Sequence, residues 1–283
     1  MELSGGYFVR IAVVELTRTV RLCVNDPVEE AGRVPSSESA VANAYSSWPA
    51  VRGLGRYYEV TVGYEGTPDA ATGYLVDIRL IDRVVRERGM AVMGAALASG
   101  EAVGMGRLMG DLLRAVGPEV GDGVRFLEMR LTPWVSLRME VDAMERVLMT
   151  QSYEFSSAHR LALAGKSDAE NREIFGKCSN PAGHGHNYRL DVTVGCPVDG
   201  AGHVLMVEVL DEWVDRRVIE VLDHQHLNED VAAFAALNPS VEHIAQVIWG
   251  MLAGHTGELG EGVVLDEVRV WETGKTACRY RGG

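Results

Sequence analysis

The sequence has little cysteine, little positive charge and no long apolar run. Four cysteines in 283 residues, at 23, 178, 196 and 278, are too few and too scattered for a disulfide framework, and they point to a reducing compartment. Basic residues number 27 against 40 acidic ones, for a net charge of -13. A general nucleic-acid binder is excluded, because phosphate neutralisation needs clustered Lys and Arg. The most apolar stretch, 90–106, is rich in Ala and Gly and carries Glu101, so it does not read as a membrane span; no basic-then-apolar leader opens the chain. The first 150 residues contain no lysine and no histidine, and all eight histidines come after them. Chemistry that needs imidazole therefore belongs to the second half. Apolar material is ample, 47% of the chain against 24% charged residues, enough for a full core. The expectation is a globular, cytoplasmic protein without nucleic-acid or membrane partners.

Two stretches are alike. Residues 57–86 and 188–217 each run through an alternating strand containing V-T-V-G, then a turn of Gly, Pro and Asp. A second apolar strand (74–78; 203–209) follows, and then a helix with apolar residues three and four apart. The shared order predicts two α+β domains, about 1–145 and 146–283, each an antiparallel four-stranded sheet with two helices on one face. In the second domain, strands are expected at 150–157, 187–195, 203–209 and 263–272, and helices at 210–222 and 241–253, the last capped by Ser240. Residues 31–55, rich in Ser, Pro and Gly, read as a long loop.

His184-Gly185-His186 opens a strand, where residues two apart share a face and both imidazoles can meet one ion. Alone, the pair also suits surface or packing histidines. Antiparallel pairing of 150–157 with 187–195 brings His159 beside it, and three neutral imidazoles suit a catalytic zinc with one position open. Cys178 precedes His184 on a loop, and Lys177 and a nearby ion would favour its thiolate; a buried inert thiol is the alternative. Asp223 can orient His224 as an acid or base, although such pairs also cap helix ends. Glu272, an acid among apolar neighbours, faces solvent or holds a ligand's donor pair.

Read in order, F-S-S-A-H159-R-L, F-G-K-C178-S-N-P-A-G-H184-G-H186-N-Y, L-D223-H224 and W-E272-T resemble the 6-pyruvoyl-tetrahydropterin synthase family, which includes the 6-carboxytetrahydropterin synthases of queuosine synthesis. The resemblance covers about 150–283; the first half is similar only in outline. It implies tunnelling-fold domains and zinc on His159, His184 and His186. It further implies Cys178 as base, Asp223 and His224 as the proton-transfer pair, and Glu272 with the Ser240 hydroxyl holding the pterin. The implied reaction is triphosphate elimination from 7,8-dihydroneopterin triphosphate. The five residues between Cys178 and His184 resemble the pyruvoyl branch, whereas Asn238-Pro239-Ser240-Val-Glu242 looks more like the carboxy enzymes. A non-catalytic pterin-binding scaffold is the reading of another class.

The chain departs from the family where relatives carry Asn or Asp in the third strand and Asp before the first helix: here stand Met206 and Val209. In the first half Pro133 takes the place of the anchoring glutamate and Asp77 that of Met206, so that half reads as a degenerate, structural copy. Relatives close three such domains into a ring and stack two rings, with sites between ring neighbours. For this chain the implied assembly is a homotrimer, one ring of catalytic domains upon one of degenerate domains.

Overall fold

The computed structural model describes residues 12–25, 49–51, 53–100 and 102–283, so most of the loop expected at 31–55 lies outside the described residues. The chain packs as two compact units. The first comprises the described residues up to Thr132 with Leu137–Glu145 and Gly200–His203; the second comprises Pro133–Ser136, Arg146–Asp199 and Val204–Gly283.

In the first unit, β1 (Val14–Val24) pairs antiparallel with β2 (Arg56–Gly66). Helix α1 (Ile78–Val84) runs through a π-helical turn, Val85–Gly89, into α2 (Met90–Ala98), and α3 (Met105–Val120) follows. β3 (Val124–Arg130) pairs antiparallel with β2, and β4 (Val135–Glu140) lies next to β3. Val20, Leu22, Val60, Val62, Leu127 and Met129 of the sheet are buried, as are Ile81, Val85, Met109, Leu112 and Val116 of the helices. Each such side chain stabilises the fold by about 1.5–3 kcal/mol relative to exposure.

The second unit holds the remaining strands and helices. β5 (Arg146–His159) pairs antiparallel with β6 (His184–Pro197), and between them lie α4 (Asp168–Phe175) and a 3-10 turn, Gly176–Ser179. Helix α5 (Val207–Val214) passes through a π-helical turn, Asp215–Ile219, into α6 (Glu220–Leu222). The two-residue β7 (Gln225–His226) pairs parallel to β5, and α7 (Leu227–Asp230) and α8 (Val241–Ala253) follow. β8 (Val264–Thr273) pairs antiparallel with β6, and β9 (Thr276–Tyr280) with β8. The result is an α+β fold. Among the described residues no helix is long and apolar enough to cross a membrane.

Two expected strands are absent. Residues 203–206 are irregular and 207–209 already belong to α5, while 74–77 bend into α1, which starts at Ile78. None of 203–209 is buried, so their apolar alternation faces no core, and from Val207 the helical spacing that buries Leu210, Trp213, Val214 and Val218 prevails. In the first unit Asp77 is not a strand residue but the N-cap of α1, accepting from Arg79 N at 2.9 Å. Met206 holds the same position before α5 and supplies no side-chain cap, while Val209 lies within the helix. The alternation did not reveal β4, beside β3, or β9, beside β8. Helix α4 also went unseen, although Ser167 and Glu170 form the capping box that announces it. By contrast α8 spans the expected 241–253, with Ser240 as its cap.

Candidate active site

Strand pairing builds the centre. β5 and β6 run in a register that places His159 opposite His184 and Ser157 opposite His186. Alternation puts His184, His186 and Tyr188 on the face that carries His159. The three imidazoles offer ligand atoms all within 4.8 Å of one another, and the Nε2 atoms of His159 and His184 stand 3.1 Å apart.

His159 is fully buried, and its Nδ1 lies 2.7 Å from the Pro239 carbonyl. A carbonyl only accepts, so Nδ1 carries the hydrogen and Nε2 presents a lone pair to the cluster. Burial pushes the His159 pKa down to about 4; the neighbouring imidazoles add to the fall and the Pro239 hydrogen bond opposes it. His184 is lowered too, first by burial and then by His186. Buried His186 Nε2 has no hydrogen-bond partner. Imidazole nitrogens gathered within reach of one ion, one of them oriented by a carbonyl behind it, fit a borderline-soft divalent ion such as zinc.

The chain leaving His159 is pinned by asparagines. Asn228 clamps Arg160 from both sides, accepting from its N–H at 2.8 Å and donating to its carbonyl at 3.0 Å. Asn238 Oδ1 accepts from Ala162 N at 3.0 Å, and Asn171 Oδ1 from Leu163 N at 2.8 Å. Between these, Leu161 N donates to the Cys178 carbonyl at 2.9 Å, which ties the cysteine's turn to the segment just after His159. Cys178 itself is half-buried. Gly183, before His184, has φ +72°, and a Cβ there would meet His226 Nε2 at 2.8 Å, so a side chain is excluded twice over.

Asp223 and His224 form the expected pair, with Oδ2 of Asp223 2.7 Å from His224 Nδ1. The other oxygen accepts from Ser156 N at 2.7 Å, and His224 N donates to Ser156 O at 2.6 Å. These bonds, the Ser156 N–H foremost, hold the Asp223 carboxyl below its ordinary range. His224 has φ +57°, the one non-glycine residue in the left-handed region among those described, and its side chain is 82% exposed. Among the described residues the pair makes no hydrogen bond to Cys178 or to the three imidazoles. His224 shares with His186, Asn187, His226 and Asp230 an open cavity of about 770 Å³.

Glu272 does not face solvent: its side chain is 19% exposed, and Oε1 lies 3.6 Å from His159 Nε2 and 3.7 Å from His186 Nε2. It falls where the pairing of β8 with β9 shifts register between Trp271 and Thr273. Ser240 Oγ accepts from His243 N at 3.5 Å as the cap of α8, so a hydroxyl expected to face a ligand also serves the helix. Two residues escaped the sequence reading. Tyr188, fully buried and edge-on to His159 and His186, has a hydroxyl with no partner, and burial pushes its pKa up. His226, against Gly183, has a buried Nδ1 without a partner. The two-residue spacing from His186 places Tyr188 on the metal face; nothing in the local sequence marked His226.

Residues 148–283 match the family model described as 6-pyruvoyl tetrahydropterin synthase. The 6-pyruvoyl tetrahydrobiopterin synthase of Drosophila melanogaster is 40% identical over 135 residues, covering 47% of this chain and 79% of that protein. The human protein of that name is 38% identical over 135 residues, covering 47% of this chain and 90% of its own. The chain belongs to the 6-pyruvoyl tetrahydropterin synthase family. Among solved structures, that of the Caenorhabditis elegans 6-pyruvoyl tetrahydropterin synthase is 35% identical, covers 49% of this chain and 96% of its own, and has a TM-score of 0.44. The synthase match contains all three imidazoles, Cys178, the Asp223–His224 pair, Ser240 and Glu272; residues 1–147 lie outside it.

Proposed function

We propose that the second unit, 146–283, is a zinc-dependent 6-pyruvoyl-tetrahydropterin synthase, a lyase that eliminates triphosphate from 7,8-dihydroneopterin triphosphate. The observation that carries the reading is the convergence of His159, His184 and His186 beside the turn that carries Cys178, in a chain of this family. Bound zinc would supply Lewis acidity, drawing charge from the substrate's side-chain oxygens and acidifying the adjoining C–H. Glu272 accepts two N–H bonds from the amino-pyrimidine edge and sets the ring's register. Cys178, as thiolate, removes the side-chain proton. Asp223, bonded to His224 Nδ1, leaves Nε2 of that imidazole to exchange protons with the substrate.

The working particle is read as a homotrimer whose sites lie between neighbouring chains. The first unit is read as a degenerate, structural tandem copy. Three features support this: the similar order of strands and helices, a π-helical turn after α1 in one unit and after α5 in the other, and matching hydroxyl pairs. Thr19 and Thr61 join β1 to β2 at 2.7 Å, as Thr150 and Thr193 join β5 to β6 at 2.8 Å.

The test is mass spectrometry of the product after incubation with 7,8-dihydroneopterin triphosphate. Release of triphosphate with 6-pyruvoyl-tetrahydropterin supports the assignment. A 6-carboxy product would move the chain to the other branch, and an unchanged substrate would leave a pterin-binding scaffold.

A further inference from the structure

Residues 160–183 connect β5 to β6, leaving at His159 and returning at His184, and Cys178 rides on this excursion. A connection of that length reaches many conformations unless something fastens it. Arg160, next to His159 in the chain, fastens it with two nitrogens of one guanidinium. Nε donates to the Ser179 carbonyl at 3.1 Å, and Nη2 donates at 2.5 Å to Oδ1 of Asp168, the first residue of α4. Asn228 clamps the Arg160 backbone at its N–H and its carbonyl, so the side chain extends from a fixed base. Leu161 N donates to the Cys178 carbonyl at 2.9 Å, so residues 160 and 161 hold residues 179 and 178. Ser179 is buried, and its carbonyl needs a donor that bulk water does not supply.

The arrangement suits arginine and not lysine. Nε and Nη2 share one rigid plane and reach a carbonyl and a carboxylate together. Lysine has a methylene where Nε stands, so it could keep the ion pair with Asp168 but not the bond to Ser179. That ion pair is open to solvent on the Asp168 side, whose side chain is 68% exposed, and contributes little by itself. The bond to the buried Ser179 carbonyl is the one that fixes the turn.

We propose that Arg160 is a positioning residue for Cys178: its guanidinium holds the turn that carries the thiol against the segment leaving His159. The proposal rests on the reading of Cys178 as the base. Arg160 acts through the turn and not on the substrate. A reacting group displaced by about 1 Å can lose about a hundredfold in rate.

The experiment uses the full zinc-loaded chain with Arg160→Lys and Arg160→Met, and takes two readings. One is turnover of 7,8-dihydroneopterin triphosphate. The other is alkylation of Cys178 by iodoacetamide, located by peptide mass spectrometry and normalised to Cys278 on β9. Both variants are expected to hold as much zinc as wild type and to lose about ten- to a hundredfold in kcat, with KM within about twofold. Both should alkylate Cys178 at least about threefold faster, because a half-buried thiol is released. Full kcat in the lysine variant overturns the proposal, since charge alone would then suffice. Alkylation at the wild-type rate in the lysine variant overturns it too, and that variant decides the matter should the methionine one fail to fold. Faster alkylation with unchanged kcat also overturns it, because the place of the thiol would not matter to turnover. Cys178→Ala separates this last result from failure of the base reading: normal turnover there removes the base itself, whereas lost turnover removes only the role of Arg160.

Discussion

His159 divides its two nitrogens between a backbone carbonyl 80 residues away and the metal site, and burial enforces the division. A neutral ring is what the fold holds, so acid acts on it directly. The folded, metal-free protein keeps His159 neutral down to about pH 4, whereas the unfolded chain takes up the proton near 6.5. The unfolded state therefore binds more protons across that window, and stability falls as pH drops from about 6.5 toward 4. Urea midpoints in the presence of a chelator should show that fall, and His159→Asn should lose much of it. An equal slope in both proteins would remove the buried neutral imidazole from the account. Cys178 calls for a kinetic test. Cys178→Ala should keep zinc and pterin binding but lose about two to four decades of kcat, the size of a missing proton-transfer group. Near-normal turnover would end its role as base.

At the level of elements, α1 and α5 show what one cap does. Asp77 closes the start of α1, while exposed Met206 leaves the start of α5 with free N–H groups. Met206→Asp should therefore stabilise the second unit by about 1 kcal/mol, helped by a negative charge at a helix N-terminus. Urea unfolding compared with wild type checks this; a neutral or destabilised variant would mean that the Met206 side chain packs in a way its 65% exposure does not suggest. The segment after His159 depends on asparagines from α4, α7 and the loop before α8, so its shape belongs to the unit and not to its own residues.

For the whole molecule, the distribution of histidine sets metal content. Only the second unit supplies imidazoles on strands, so elemental analysis should give about one zinc per chain, and His184→Ala should abolish both zinc and turnover. Two zinc ions per chain would defeat the single-site assignment. In a homotrimer whose sites lie between chains, association is a condition of activity. Light scattering at micromolar concentration is expected to give the mass of three chains; a mass of one or two would oblige each chain to complete its own site.

The sequence by itself carried the chemistry: which residues can hold an ion, their period-two spacing on β6, their pairing with His159, and the helix at 241–253 with its Ser240 cap. These depend on residue type and on short repeats, which any chain displays locally. It misplaced strands at 74–78 and 203–209, since apolar alternation suits a strand only where a core exists to receive it, and the helical spacing beyond prevailed. Only the tertiary structure brought Glu272 against the imidazoles, gave His159 its carbonyl, buried the Tyr188 hydroxyl and tied Cys178 to Leu161. Each of these contacts joins residues far apart in the chain, and burial and hydrogen bonding at such range follow from how sheet and helices pack, which no local pattern of residues contains.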